Sequence, residues 1–259
     1  MRSDVSGGSD LPVCPLLNLP PMGDHLIQRF DSASALAAGV AGLWIERLAC
    51  RHASAPVFTV ALPGGRIARD LFGSTARIAA ERGVSLRDVA FFWGDERCVA
   101  PEDRESNFRA AHEGLLAPMR VPAARIHRIR GELQPEVAAR DAAAELVRLA
   151  PAGAAGRPAL DLVFLGMGED GHVASLFPGE SDAVMDSAAI YRAVTASKPP
   201  PRRITLGYGV LAAAREVWVL ASGPGKEAAL RESLQPEGTT PLARLIRLRE
   251  RTAVFTDIA

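Results

Sequence analysis

Asp170 and His172 stand either side of Gly171, directly after an apolar run that closes in Gly166-Met167-Gly168. That run, residues 160–166, predicts a buried strand, and the glycines predict its end. Histidine takes and gives a proton near neutral pH, and a neighbouring aspartate can orient it. The segment therefore offers a general acid/base at a strand end, where open parallel sheets bind their ligands. Taken alone, Asp-Gly-His is also ordinary turn chemistry. The other histidines, His25, His52, His112 and His127, fall in helical or loop contexts without such a neighbour and read as surface or packing residues.

Three more strand ends carry suggestive groups. An apolar run over 57–62 closes at Pro63-Gly64-Gly65, where glycines let the backbone approach an anion and a following helix adds partial positive charge. A tight turn explains the same residues, and the glycine spacing fits neither a Walker loop nor a dinucleotide fingerprint. Gly94-Asp95-Glu96-Arg97 follows the run 89–93, with Ser106-Asn107 nine residues on. Arg97 can offer its planar fork to a phosphate while Asp95 or Glu96 holds it; a structural ion pair is the alternative. Cys98 reads as a small core residue. The prolines of Lys198-Pro199-Pro200-Pro201 form a stiff support for Arg202 or Arg203, and Gly223-Pro224-Gly225-Lys226 opens a helix with a cation at its start. Each cation alone fits a solvated surface. Several strand-end cations around one histidine suggest a phosphorylated small molecule.

The elements that must position these residues alternate in kind. A helix starts from Asp31 or Ser32, with Leu36, Val40, Leu43, Trp44 and Leu48 on one face. A second helical stripe runs through Ile67, Leu71, Phe72 and Ile78, and an alanine-rich helix spans 135–149. Further strands are expected at 203–206, 217–221 and 252–256. The alternation predicts a doubly wound α/β fold with a mostly parallel sheet. Residues 1–24, rich in glycine and proline, read as a flexible leader, and 25–259 as one domain in which 151–158 is a surface loop. The 30 basic and 30 acidic residues cancel, so no global field draws the chain to nucleic acid or a membrane. Cys14, Cys50 and Cys98 are odd in number and far apart, which argues against a disulfide framework or zinc site and fits a reducing compartment. No apolar run is long enough to span a membrane and the start lacks a secretory signal, so a cytoplasmic protein is expected.

Taken in order, four segments resemble the motif set of the 6-phosphogluconolactonases. They are Gly94-Asp95-Glu96-Arg97 with Ser106-Asn107; Leu165 to His172 continuing through Ser175-Leu176-Phe177-Pro178-Gly179; Pro199-Pro200 with Arg203-Ile204-Thr205; and Gly223 with Lys226. The resemblance implies the fold shared with glucosamine-6-phosphate deaminases and ribose-5-phosphate isomerases, a Rossmann-like sheet with a smaller appended α/β subdomain. It also implies hydrolysis of 6-phosphoglucono-δ-lactone to 6-phosphogluconate in the oxidative pentose phosphate pathway. His172 is then the base and later the acid, with Asp170 setting its orientation or tautomer. Arg97 and Lys226, with Arg203, hold the phosphate, and Asp95 and Asn107 join the substrate-binding set. Backbone amides near Gly64-Gly65 or Gly168 face the oxyanion. No metal or cofactor is expected, and the partner is a small phosphorylated sugar lactone, bound by a monomer or weak homo-oligomer. One departure stands out: where the family carries Ser-Gly-Gly-Ser-Thr, this chain has Pro63-Gly64-Gly65-Arg66-Ile67. Either Arg66 replaces the lost hydroxyls as a phosphate ligand, or this loop faces solvent. The rivals are an aminosugar-phosphate deaminase, whose motifs usually read Asp-Glu-Tyr and Phe-Asn-Glu-Pro, and a non-catalytic sugar-phosphate-binding protein.

Overall fold

The computed structural model describes residues 26–52, 54–153 and 156–258. The expected leader 1–24, with Cys14, and His25 lie outside the described residues. The strands are β1 (Leu26–Arg29), β2 (Phe58–Leu62), β3 (Val89–Trp93), β4 (Asp95–Arg97), β5 (Leu162–Gly166), β6 (Tyr191–Thr195), β7 (Arg202–Leu206), β8 (Glu216–Ala221) and β9 (Ala253–Thr256). The helices are α1 (Ala33–Ala49), α2 (Arg66–Glu81), α3 (Asn107–Ala111), α4 (Pro135–Leu149), α5 (Asp182–Met185), α6 (Tyr208–Ala213), α7 (Glu227–Ser233) and α8 (Pro241–Arg247).

Six strands form a parallel sheet in the order β1-β9-β8-β5-β2-β3. β2 and β3 are buried along their whole length, which is why they read as nearly continuous apolar runs rather than alternating ones. Trp44 of α1 packs edge-on against Phe164 of β5, with ring centroids 5.0 Å apart, and Phe164 meets Trp218 of β8 the same way at 5.5 Å. These aromatics tie α1 to the middle of the sheet. α1 begins at the expected cap: the Ser32 hydroxyl accepts from Ala35 N at 3.2 Å. α4 keeps the expected bounds, with Pro135 in its first turn, where a missing N–H costs nothing.

From the sheet centre the chain runs outward in both directions, toward β3 from β2 and toward β8 from β5, so the crevice between the ends of β2 and β5 is a topological switch point. The expected strand at 160–166 starts at Leu162, because the Asp161 carboxylate turns inward to accept from Thr59 N and Oγ1 at 2.8 and 2.9 Å.

A smaller antiparallel sheet, β4-β7-β6, stands beside the parallel one and is covered by α4. The strand expected at 203–206 belongs here as β7, flanked by β4 and β6, which sequence patterning does not reveal. Gly94 alone separates β3 from β4. Its N–H donates to Leu62 O of the parallel sheet and its C=O accepts from Leu206 N of the smaller one, both at 2.9 Å. The Tyr191 hydroxyl of β6 donates to Trp93 O at 2.7 Å, a second tie between the sheets. The 151–158 segment is a loop beside β5, closed by Ala159 N donating to Pro151 O at 2.8 Å, with residues 154 and 155 outside the described set. Among the described residues, no helix is long and apolar enough to cross a membrane.

Candidate active site

A cleft of about 290 Å³ opens over the carboxyl ends of the parallel strands. The turn after β2 lines it with Gly64, Gly65 and Arg66, and the β3–β4 passage with Gly94, Asp95 and Arg97. The loop after β5 adds Gly168 and His172, β7 adds Arg203, and the loop after β8 adds Gly223 and Lys226. Adjacent strands therefore deliver the glycine turn and the histidine loop side by side.

His172 Nδ1 lies 2.5 Å from Asp170 Oδ1, which also accepts the His172 backbone N–H at 3.2 Å. An ionised carboxylate only accepts, so Nδ1 carries the hydrogen, and in the neutral imidazole Nε2 keeps its lone pair. Burial works to raise the Asp170 carboxyl, but the hydrogen bond and charge of His172 outweigh it and leave it below the usual range. The loop is tight: Gly168 N donates to His172 O at 2.9 Å, and Gly171 N to Gly168 O at 3.1 Å. The Gly168 amide is thus occupied, so of the amides expected near an oxyanion this one is already in use. Gly171 sits at φ +76° with its α-carbon turned toward Thr240, where a β-carbon would come within 2.6 Å. Only glycine fits there without strain.

The cations come in two mutually repelling pairs. Arg97 and Arg203 are direct partners in the β4–β7 register. Burial pushes the Arg203 guanidinium below its usual range, and the charge of Arg97 adds to that. Like charges directly opposite each other destabilise a sheet unless an anion offsets them. Arg203 Nε and Nη2 donate to Pro200 O and Lys198 O at 3.0 and 3.2 Å, so the proline support expected from sequence holds this side chain. Arg97 departs from expectation. Its Nη1 donates to Glu105 O at 2.7 Å and lies 3.6 Å from the Glu105 carboxylate, so Glu105 steadies it in place of Asp95 or Glu96. Among the described residues, Arg97 Nε is buried without a hydrogen-bond partner.

Arg66 and Lys226 form the second pair. Burial lowers the Lys226 ammonium, and the Arg66 charge lowers it further. Arg66 is the first residue of α2, and its Nη2 comes within 4.0 Å of the point where a Gly223 β-carbon would sit. It therefore leans over the cleft toward the β8–α7 loop. The α2 N-terminus carries no side-chain cap, and Gly65 before it sits at φ +91°. Asp257 braces the opposite loop, accepting from Ser222 Oγ at 3.0 Å and Gly223 N at 3.2 Å.

Asp95 is 5% exposed and lines the cleft, with Oδ2 accepting from Ser175 Oγ at 2.6 Å and Oδ1 from Asn107 Nδ2 at 3.2 Å. Asn107 does not line the cleft. Its amide is occupied by Asp95, and it fills the space where a Gly64 β-carbon would meet its Oδ1 at 2.3 Å. The structure makes it a support behind Asp95 and Gly64, not a wall residue. Glu96 is a second inward carboxylate, accepting from Arg97 N, Asn107 N and Phe108 N at 2.8 Å each. Burial pushes it up to about 7 against those amides. Sequence reading quoted Ser175, Phe177 and Thr205 within the motifs but gave them no place in the site. Ser175 meets Asp95 and Thr205, and Phe177 meets Arg203, in other segments as well as His172 in its own. Of the remaining histidines, His127 packs on Phe92 at 4.9 Å and bonds Glu145 at 2.8 Å, away from the cleft. Cys98 is half-buried beside Arg97.

An open α/β sheet, a histidine–aspartate pair at its switch point and a rim of cations define a protein built to handle a small anionic substrate. A sequence model of the family described as glucosamine-6-phosphate isomerases/6-phosphogluconolactonase matches residues 31–255, and the chain belongs to that family. It is 31% identical to the 6-phosphogluconolactonase of Treponema pallidum over 82% of this chain and 86% of that one. It is 35% identical to the 6-phosphogluconolactonase of Homo sapiens over 84% of each. The solved 6-phosphogluconolactonase of Trypanosoma brucei superposes with a TM-score of 0.77 at 28% identity, covering 90% of this chain and 95% of that one.

Proposed function

We propose that this chain is a lactone hydrolase that converts 6-phosphoglucono-δ-lactone to 6-phosphogluconate. The observation that carries the reading is the pairing of an Nδ1-anchored histidine with two arginines in register in one cleft. His172 Nε2 removes a proton from water as its oxygen attacks the lactone carbonyl carbon. The tetrahedral intermediate collapses with cleavage of the bond from that carbon to the ring oxygen, and the imidazolium returns the proton to the ring oxygen. A carboxylic acid and a free hydroxyl result. Asp170 holds the tautomer and stabilises the imidazolium. Arg97, Arg203, Arg66 and Lys226 hold the phosphate and fix the carbonyl near the base, while the open Gly64-Gly65 turn is the place for the oxyanion. Asp95, its carboxylate fixed by Ser175 and Asn107, accepts from a substrate hydroxyl. Acid release on adding freshly generated lactone, read above spontaneous hydrolysis, tests the reading. Ammonia release from glucosamine 6-phosphate, without lactone hydrolysis, would overturn it.

The same reading treats 25–259 as one domain behind a leader at 1–24. It places the enzyme in the cytoplasm as a monomer or weak homo-oligomer, with no nucleic acid or membrane partner. The balance of 30 basic and 30 acidic residues supports the last point.

Arg66 stands where the family carries hydroxyls, and its place over the cleft beside Lys226 supports a phosphate contact. Arg66→Ser is expected to raise KM about three- to tenfold with kcat nearly unchanged, because a contact kept from ground state to transition state affects binding alone. An unchanged KM would rule the contact out.

Lys226 gives a pH test. Its ammonium is lowered in the free protein, and a bound phosphate dianion favours the charged form and raises it again. At alkaline pH, just below the ordinary lysine range, the complex holds more proton than the free protein, so binding takes protons up. Calorimetric titration with 6-phosphogluconate in two buffers of different ionisation enthalpy is expected to give different heats. Identical heats would remove Lys226 from the phosphate site.

A further inference from the structure

We infer that Phe177 is a positioning residue that couples the general base to the phosphate-binding cations, an inference that rests on the lactonase reading. The Phe177 ring centroid lies 4.9 Å from that of His172, with the planes tilted by 45°. The Arg203 guanidinium carbon lies 5.6 Å from the same centroid. One half-buried ring therefore supports both the base and a cation of the phosphate wall, and it does so from outside the residues that line the cleft.

Each partner needs this support. Asp170 holds His172 by one edge at Nδ1, which leaves the ring free to swing about that contact. A neighbour against the imidazole fixes the remaining rotation and with it the direction of Nε2. Arg203 is held along its rim by the carbonyls of Pro200 and Lys198, and the Phe177 ring adds cation–π support.

The two residues before Phe177 fix where the ring can be. Ser175 is fully buried, with Oγ donating to Asp95 Oδ2 at 2.6 Å and N donating to Thr205 Oγ1 at 3.1 Å. Leu176 N donates to Val173 O at 3.0 Å, closing the loop just after His172. The segment is thus fastened to β4 and β7, the strands that carry Arg97 and Arg203, while its next ring touches the base. The span from base to phosphate wall, and so the length of substrate accepted between them, is set through Phe177.

The test uses the full chain with Phe177→Leu and Phe177→Tyr. Phe177→Leu is expected to lower kcat on the phosphorylated lactone about tenfold through the misdirected base. It is also expected to weaken 6-phosphogluconate binding, read by calorimetry, about threefold through the lost cation–π support. Phe177→Tyr keeps the ring and is expected to stay near wild type in both. A change in only one of the two quantities, or in neither, would overturn the coupling, as would a Phe177→Tyr variant as impaired as Phe177→Leu. If Phe177→Leu does not fold, Phe177→Met gives the same readout with a side chain of similar volume and no ring. Failure of the functional reading is distinguishable, because wild-type protein would then fail to hydrolyse the lactone.

Discussion

His172→Ala is expected to lower kcat by about a hundredfold or more while KM stays close to wild type. In the proposed mechanism the imidazole takes a proton from water and returns it to the ring oxygen. Its removal withdraws one step's base and the next step's acid together. The arginines proposed to hold the phosphate keep their hydrogen bonds: Arg203 is held by backbone carbonyls and Arg97 by Glu105, and neither depends on the imidazole for them. Binding should therefore survive. The fold should survive as well, because the side-chain hydrogen bond of His172 is a local one to Asp170 and its side chain is 20% exposed. Loss of a side chain that also packs on Phe177 is expected to cost about 1 kcal/mol, the usual size for a single substitution. Acid release must be measured above the spontaneous rate, since the lactone opens unaided. Near-normal turnover by the variant, with folding verified by circular dichroism, would remove His172 from the reaction.

Gly168→Ala should cost almost as much, although it adds only one methyl group. A β-carbon at Gly168 would lie 2.1 Å from both Cε1 and Nδ1 of His172 and 2.8 Å from Asp170 Oδ1. Real β-carbons do not come so close to a non-bonded heavy atom, and the atoms that must yield are the His172 ring and the Asp170 carboxylate. Gly168 is not among the glycines with positive φ, so alanine brings no backbone strain and the effect isolates the contact. A displacement of about 1 Å in a reacting group costs on the order of a hundredfold in rate. We expect that loss in kcat, with a melting temperature lowered by only a few degrees, about 1 kcal/mol. Wild-type turnover from a folded Gly168→Ala protein would show that the reaction does not depend on how the pair is held.

The parallel sheet was legible because β2, β3, β5 and β8 are buried on both faces and so appear as nearly continuous apolar runs. α4 declared itself by proline at its first turn, and α1 by the Ser32 cap. β4 could not be read this way: its residues are Asp95, Glu96 and Arg97, and they form a strand only because β7, over a hundred positions away, offers a matching edge. The same long-range pairing hid β6 and placed β7 in a separate sheet. In the site, glycines and charges at strand ends marked out the dyad and the cations. Hydrogen-bond partnership was not legible. Asn107 has the right polarity for a ligand, yet its amide is occupied by Asp95. The Gly168 amide is likewise taken by His172 O, and the partner of Arg97 is Glu105. Residue type shows what a group can bind, whereas the fold determines which of its donors are already in use.

The passage from β3 to β4 through Gly94 bears on how the two walls of the cleft can move. One wall grows from the parallel sheet and the other from the antiparallel one, and the shortest chain passage between them is a single buried residue with two soft torsions. A jaw would need that joint to turn. Gly94 is hydrogen-bonded to Leu62 on one side and Leu206 on the other, and Tyr191 bolts the sheets together beside it. The walls are therefore expected to keep their spacing whether or not anything lies between them. Such a socket is filled and emptied without waiting on a hinge, which suits a catalyst racing a reactant that decays in water unaided.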